Sequence, residues 1–289
     1  HAFDAEDADR FFGREHYISA LTEMVQRQPF VLIVGPSGSG KSSLVHAGLV
    51  ARISAHPADH SDVPTSQSGA WRVGQARPGA DPFHSLAAAL AALSPREIDP
   101  NQLAADWRSG RQTLFDASAP LITSRGDRLL LVIDQLEELF TLSPDPTSAG
   151  AFLELLFAGL ANTTHPHHLA CVASLRADFV AQALAHWELA QALQRSCIFL
   201  GPMDADEMSR SIVEPARLEG VGLEPGLLER LLTDVKGQPG SLPLLQFTLT
   251  LLWDAQVERR LTHIAYSALG GVAGALTSYC DDLFNHLTA

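Results

Sequence analysis

Lysine is almost missing from this chain: Lys41 and Lys236 are the only two, and every other cationic side chain of that class is arginine. Positive charge as a whole is scarce, with 20 Lys and Arg against 33 Asp and Glu, a net charge of −13. That balance argues against broad nucleic-acid binding, which rests on neutralising many phosphates at once. It leaves room for a single phosphate pocket, because such pockets work through local dipoles rather than net charge. Long apolar runs are lacking too. The strongest, LPLLQFTLTLLW at 242–253, is interrupted by Gln246 and reads as a buried helix. It falls short of the roughly 20 residues that a membrane-spanning helix needs. Cysteine is limited to Cys171, Cys197 and Cys280, an odd number with no CxxC spacing. They read as small core hydrophobes in a reducing compartment, not as a disulfide or zinc framework. With no signal peptide in view, a cytoplasmic location is expected. The first residue is His1 rather than Met, so the chain is expected to be an excerpt of a longer protein.

What remains is a chain of 289 residues, 46% hydrophobic and 18% charged, enough for one large or two ordinary globular domains. Ile18, Leu21 and Val25 have helical spacing. FVLIV (30–34), WRVGQAR (71–77), LLLVID (129–134), LACVASL (169–175) and CIFLG (197–201) read as strands separated by helical patterns. Two of those helices are announced by Asp-Pro starts, Asp81-Pro82 and Asp99-Pro100, the second predicted to carry Leu103, Trp107 and Leu114. Residues 54–70 read as a surface loop. Alternating strands and helices predict an α/β domain whose parallel sheet is covered on both faces.

After Pro202 strand signals stop. Asp204 and Glu207 form a capping-box pattern ahead of Met208 and Ile212, and Leu227, Leu228, Leu231, Leu232 and Val235 follow with helical spacing. The expected division is a nucleotide-binding domain over 1–201, an all-α domain over 202–265, and the start of a further helical element over 266–289.

The first strand runs into Gly35-x4-Gly40-Lys41-Ser42, with a helical pattern behind it. Strand before and helix after are the context that a phosphate-binding P-loop requires. Glycines let successive N–H groups turn onto phosphate oxygens, and the following helix adds its N-terminal dipole. Gly35, Pro36, Ser37, Gly38, Ser39, Gly40, Lys41, Ser42 and Ser43 are therefore the predicted nucleotide cradle. Lys41 is predicted to reach the β- and γ-phosphates, and Ser42 to ligate Mg2+. An arginine in that place would be too broad and planar to fit inside the loop.

LLLVIDQLEELF (129–140) ends a strand on Asp134, a predicted second Mg2+ contact opposite Ser42. Glu137 or Glu138 is predicted to orient or deprotonate an attacking water. Gln135 occupies the place where many ATPases carry that glutamate, and an amide cannot take the proton. Arg176 stands at the end of the fourth strand, where ligands of open parallel sheets bind.

With those motifs in place the chain resembles the STAND class of P-loop NTPases, signalling proteins related to NACHT and NB-ARC switches. Its nearest likeness is to the novel STAND NTPases of bacteria, which are often fused to WD repeats. The resemblance spans about residues 3–288. It is carried by FFGRE (11–15), GPSGSGKSSLVHAGL (35–49), RPGADPF (77–83), DQLEELF (134–140), SLRADF (174–179), GQPGSLPLL (237–245) and YSALGGVAGAL (266–276). It implies an ASCE/AAA+-like five-stranded parallel sheet followed by a small helical domain, binding ATP or ADP with Mg2+. It also implies that Phe12, Gly13 and Arg14 lie along the adenine and ribose. Arg176 would sense the γ-phosphate, and Pro243 would pack on the base. Asp134, Glu137 and Glu138 match the extended acidic box of NACHT-like relatives. Self-association on activation, and sensor and effector domains outside this chain, are further implications. The family's winged-helix segment is missing or only begun.

Other signals are weaker. HPADH (56–60) and HPHH (165–168) read as loop histidines rather than metal ligands, and Arg195 before the fifth strand sits like an arginine finger. Three functions compete: an ATP-dependent switch with slow hydrolysis, a nucleotide-locked scaffold, and a small-molecule kinase. The last lacks the arginine-rich lid it would need.

Overall fold

A computed structural model describes residues 3–55, 70–124, 126–142, 146–161, 169–236 and 240–275. The two histidine motifs lie outside these residues, as do most of the 54–70 segment and residues 276–289.

Five strands form one parallel sheet: β1 (Phe30–Gly35), β2 (Trp71–Ala76), β3 (Arg128–Ile133), β4 (Leu169–Arg176) and β5 (Cys197–Phe199). Their order across the sheet is β2-β3-β4-β1-β5. Every residue of β1 is buried, and so are all but the last of β4. This is the pattern of strands covered on both faces, and it explains their unbroken apolar sequences. Leu32 and Val34 of β1 join Leu129, Leu131 and Ile133 of β3 and Cys171, Ala173 and Leu175 of β4 in one cluster with Leu86, Leu90, Trp107 and Phe152. The alternate residues, Val31, Ile33, Leu130, Val132 and Val172, are equally buried on the opposite side. Burying one such side chain contributes about 1.5–3 kcal/mol, so the sheet centre is the most strongly fixed part of this unit.

The order matters for function. From β1 the chain crosses to β2 at one edge, and it later returns to β5 at the other. β1 and β4 therefore flank the point where connections leave in opposite directions, the place where open α/β sheets bind ligands. The register brings Gly35 level with Arg176, and Ile133 level with Ala173. The carboxyl ends of β1, β3 and β4 thus converge, bringing Gly35, Asp134 and Arg176 to one rim.

Two local expectations change. The helix begun at Asp99-Pro100 ends at Arg108, and Gly110 follows at φ +69°. Leu114 belongs to a separate helix, Leu114–Ser118, opened by a reciprocal capping box of Thr113 and Asp116. The Thr-x-x-Asp start outweighs the apolar spacing across it. Behind the glycine loop, Lys41–Ser43 is α-helical, but Leu44–Val50 winds in wider π-helical turns before Ala51–Ala55 resumes the α form.

The described residues fall into two compact units. The first takes the sheet and its helices, within 1–6, 16–36 and 41–200. The second takes the chain from Gly201 onward, together with Asp7–Glu15 and Ser37–Gly40. Asp204 caps the helix Ala205–Leu218 by accepting from Glu207 N–H, while the Glu207 carboxylate accepts from Asp204 N–H. Met208, Ile212, Leu227, Leu231, Val235, Leu245, Leu252 and Tyr266 make this unit's own core. It is not wholly helical: β6 (Gly222–Leu223) pairs in parallel with β7 (Arg260–Leu261). Two residues each are too few to show a strand period in sequence. Residues 271–275 are helical.

Candidate functional site

Gly35 closes β1, and the chain turns through Pro36, Ser37, Gly38, Ser39 and Gly40 before Lys41 opens the next helix. Gly38 and Gly40 have φ of +73° and +89°, a left-handed backbone that a side chain would strain. The Lys41 ammonium folds back onto the loop, donating to the Gly35 and Pro36 carbonyls at 2.9 Å each. Lys41 is 8% exposed. Burial lowers its pKa, while Glu137 and Asp134 oppose that shift and Arg176 adds to it. Lys41 thus shares one electrostatic field with the carboxylates of Glu137, Asp134 and Asp178 and the Arg176 guanidinium.

Asp134 follows directly on β3 and is 4% exposed. The Ser42 hydroxyl lies 3.0 Å from both of its carboxylate oxygens. Ser174 Oγ, on β4, donates to Asp134 Oδ1 at 2.6 Å and accepts from Gln135 N–H at 2.9 Å. Arg77, just past β2, donates to Asp134 Oδ2 at 3.2 Å. The carboxylate is thus held by three side chains at the rim of the sheet. Gln135 itself has φ +59°, an uncommon left-handed conformation for a residue with a side chain.

The two glutamates separate. Glu137 is 7% exposed, and its Oε2 accepts from Arg176 N–H at 3.1 Å. Glu138 opens the short helix Glu138–Thr141 and accepts instead from Gly79 N–H at 2.9 Å. The Arg176 guanidinium pairs with Asp178 at 2.7 Å and lies over the Phe179 ring, while its buried Nε has no hydrogen-bond partner among the described residues. His46, four residues after Ser42, has its pKa lowered by burial, with Asp134 opposing.

The positions assigned to the base and ribose belong to the second unit. Gly13 (φ +88°) approaches the Glu207 carbonyl so closely that an added Cβ would lie 2.3 Å from its oxygen. Arg14, 2% exposed, donates to Glu207 Oε2 at 3.1 Å and to the Gly201 carbonyl at 2.8 Å. Phe12 is half-buried. Pro243 stands beside Gly38, its Cγ 2.8 Å from where a Cβ would be. Ser43 Oγ accepts from Phe3 N–H, which gives it a structural contact within the first unit. Arg195 is exposed at the end of the helix Trp187–Arg195.

Sequence reasoning missed Ser174, Arg77 and Gly79 as members of the rim. Ser174 had a signal: it is the lone hydroxyl in LACVASL, in an otherwise apolar strand. Arg77 had one only as part of RPGADPF, whose role depends on where β2 lies in the sheet.

The oxygen donors of Ser42 and Asp134, beside a loop with left-handed Gly38 and Gly40, fit a nucleotide with Mg2+. Ser39 adds a specific sign, since its hydroxyl is buried without a partner among the described residues. No cluster of three or more His, Cys, Asp or Glu able to hold a metal occurs among the described residues. A Mg2+ ion completed by phosphates and water asks for no such cluster.

Comparison with solved structures places the fold. The chain is similar to the ORC2 protein of Aeropyrum pernix, solved as ADPNP–ADP complexes, with TM-score 0.59 and 17% identity over 95% of this chain and 67% of that one. It is also similar to a Walker-type ATPase of Pyrococcus abyssi, with TM-score 0.55 and 16% identity over 96% of this chain and 76% of that one. A chain of Drosophila ORC, solved bound to DNA, gives TM-score 0.55 and 15% identity over 88% of this chain and 58% of that one. At these identities the likeness shows an AAA+-type P-loop fold and no more. Among curated protein sequences none matches. No helix among the described residues is long and apolar enough to cross a membrane. The family described as Novel STAND NTPase 1 matches residues 1–289 in full, and the chain, a nucleotide-binding NTPase module, belongs to that family.

Proposed function

We propose that this module binds ATP and ADP with Mg2+ as a nucleotide-dependent switch and hydrolyses ATP slowly. The observation that carries this reading is the Ser42–Asp134 pair, a hydroxyl centred on a buried carboxylate at the mouth of the glycine loop. Loop amides and Lys41 bind the phosphates, and Lys41 gives up its two carbonyl contacts to do so. Ser42 and Asp134 hold the Mg2+, which neutralises phosphate charge and orients the terminal phosphoryl group. Each glutamate accepts one backbone N–H, and Glu137 is the one that acts on Lys41, so in this reading it accepts the proton from the attacking water. Arg176 reads the γ-phosphate, and its unpartnered Nε supports that role. Phe12, Gly13, Arg14 and Pro243 serve the base and ribose in this reading, with Arg14 held by Glu207 and the Gly201 carbonyl.

Self-association in the ATP form, and sensor and effector domains beyond this chain, complete the proposed switch. A nucleotide-locked scaffold is the second reading, favoured by Gln135 standing where a base would. Titration of the protein with ADP and ATP, with and without Mg2+, tests the first reading together with turnover. Lys41→Ala should abolish binding, and unchanged affinity in that variant rejects the assignment. A bound ADP that never exchanges, even in the full-length protein with its activating signal, decides for the scaffold. The charge of −13 gives no support to carrying over the DNA partner of the Drosophila neighbour.

A further inference from the structure

We propose that Arg77 is a resident counter-cation of the metal site: it neutralises Asp134 when no divalent ion is present and competes with that ion for the carboxylate. The inference rests on the nucleotide reading above.

Asp134 has four oxygen contacts. Oδ1 accepts from Ser42 and Ser174, and Oδ2 from Ser42 and Arg77. The two serines are neutral, and Ser174 is buried and tied to the Gln135 amide. Arg77 is the only charged partner in this set, and its side chain is 58% exposed, free to swing into solvent. Its backbone, by contrast, is fastened. Gly79, two residues on, turns at φ +59° and donates to Glu138. Asp81 then caps the helix Pro82–Leu93 through His84 N–H. The loop thus holds an exposed cation at a fixed post beside the aspartate.

The consequence is electrostatic. Asp134 and Glu137 both act on Lys41, so phosphates reaching that lysine also feel these two carboxylates. A divalent ion relieves the repulsion when present, and Arg77 relieves part of it otherwise. Nucleotide then binds without metal better than the bare carboxylates would allow. When metal arrives, the guanidinium must yield, which lowers metal affinity.

The test is a set of dissociation constants for ADP in EDTA and in Mg2+, for the wild type, Arg77→Gln and Arg77→Lys. Because the pair is half-exposed, Arg77→Gln should weaken binding in EDTA by about two- to fivefold and leave binding in Mg2+ unchanged or tighter. Arg77→Lys should fall between. Mn2+ titration followed by electron paramagnetic resonance should show tighter metal binding in Arg77→Gln. Equal weakening in EDTA and in Mg2+ overturns the proposal, since it makes Arg77 a phosphate ligand; unchanged constants in every arm overturn it too. If the wild type binds no ADP, the nucleotide reading fails separately. The Mn2+ titration of free protein still decides on Arg77, and equal Mn2+ affinity in wild type and Arg77→Gln rejects it.

Discussion

Ser174 Oγ donates to Asp134 Oδ1 at 2.6 Å and, by accepting from Gln135 N–H, ties the end of β3 to the neighbouring strand β4. One hydroxyl thereby sets both the carboxylate and the chain that follows it. Ser174→Ala removes the donor and leaves a buried amide and a carboxylate oxygen short of partners. A loss of about 1–3 kcal/mol is expected, read from urea unfolding. The same variant should need more Mg2+ for half-maximal ATP binding, because Asp134 is no longer held in place. Unchanged stability would mean that water replaces the hydroxyl at no cost.

The two glutamates should respond differently to the same chemistry. Glu137→Gln keeps an oxygen able to accept from Arg176 N–H but cannot take a proton from water. Single-turnover hydrolysis should fall by about 10²-fold or more, with ATP affinity retained. Glu138→Gln keeps its acceptor for Gly79 N–H and should leave the rate within a fewfold of wild type, while Glu138→Ala loosens the loop that carries Arg77. A reversed order of effects would transfer the base role to Glu138.

How much of this was legible beforehand depends on the range of each interaction. The central strands β1, β3 and β4 announced themselves because they are buried on both faces, so FVLIV and LACVASL carry no polar interruption beyond Ser174. The P-loop was legible because its chemistry lies within eight consecutive residues. The convergence of Arg77, Asp134, Ser174 and Arg176 was not, because it depends on β2, β3 and β4 being neighbours, and strand order leaves no local trace. The same holds for Arg14 with Glu207, which lie 193 residues apart. The helix break before Leu114 is visible as Thr113-x-x-Asp116, a local signal that competes with apolar spacing running across it. β6 and β7 were too short for any period.

Gly13 and Gly79 offer a controlled contrast. Both have positive φ, +88° and +59°. An alanine at Gly79 meets nothing within 4 Å, so it suffers only the backbone penalty of about 1 kcal/mol. An alanine at Gly13 adds a collision with the Glu207 carbonyl at 2.3 Å, where backbone must move. Gly13→Ala should therefore cost about 2–4 kcal/mol and disturb the Arg14 contacts beside it. Thermal unfolding of the two variants side by side checks the difference. Equal shifts would show that the segment carrying Gly13 relaxes freely.

Cys197 opens β5, and burial pushes its thiol up to about 11 from the ordinary value near 9.0. The raised value means that the folded chain holds its proton more tightly than the unfolded one. The stabilisation is complete below pH 9 and is lost as pH rises through 11. Only the thiolate reacts with alkylating agents, so modification of native Cys197 should be slow at pH 8 and climb steadily toward pH 11. Peptide mapping after iodoacetamide at graded pH checks this against the unfolded chain. Fast labelling at pH 8 would mean that the β5 edge opens readily.

The Gln135 backbone is left-handed at φ +59°, and the donor bond from its N–H to Ser174 holds it there, directly after Asp134. A side chain in that conformation costs on the order of 1–2 kcal/mol, and glycine removes most of the cost while loosening the unfolded chain. Gln135→Gly is therefore expected to be neutral or slightly stabilising, and Gln135→Asn close to neutral, because asparagine tolerates this region. Gln135→Val, branched at Cβ, should lose more than about 1 kcal/mol. If Glu137 is the base, the glycine variant should also keep turnover within about threefold of wild type, since the amide side chain takes no proton. Loss of turnover with stability intact would instead make the amide the group that positions the attacking water, and would shift the acid–base assignment from Glu137 to a residue acting through Gln135.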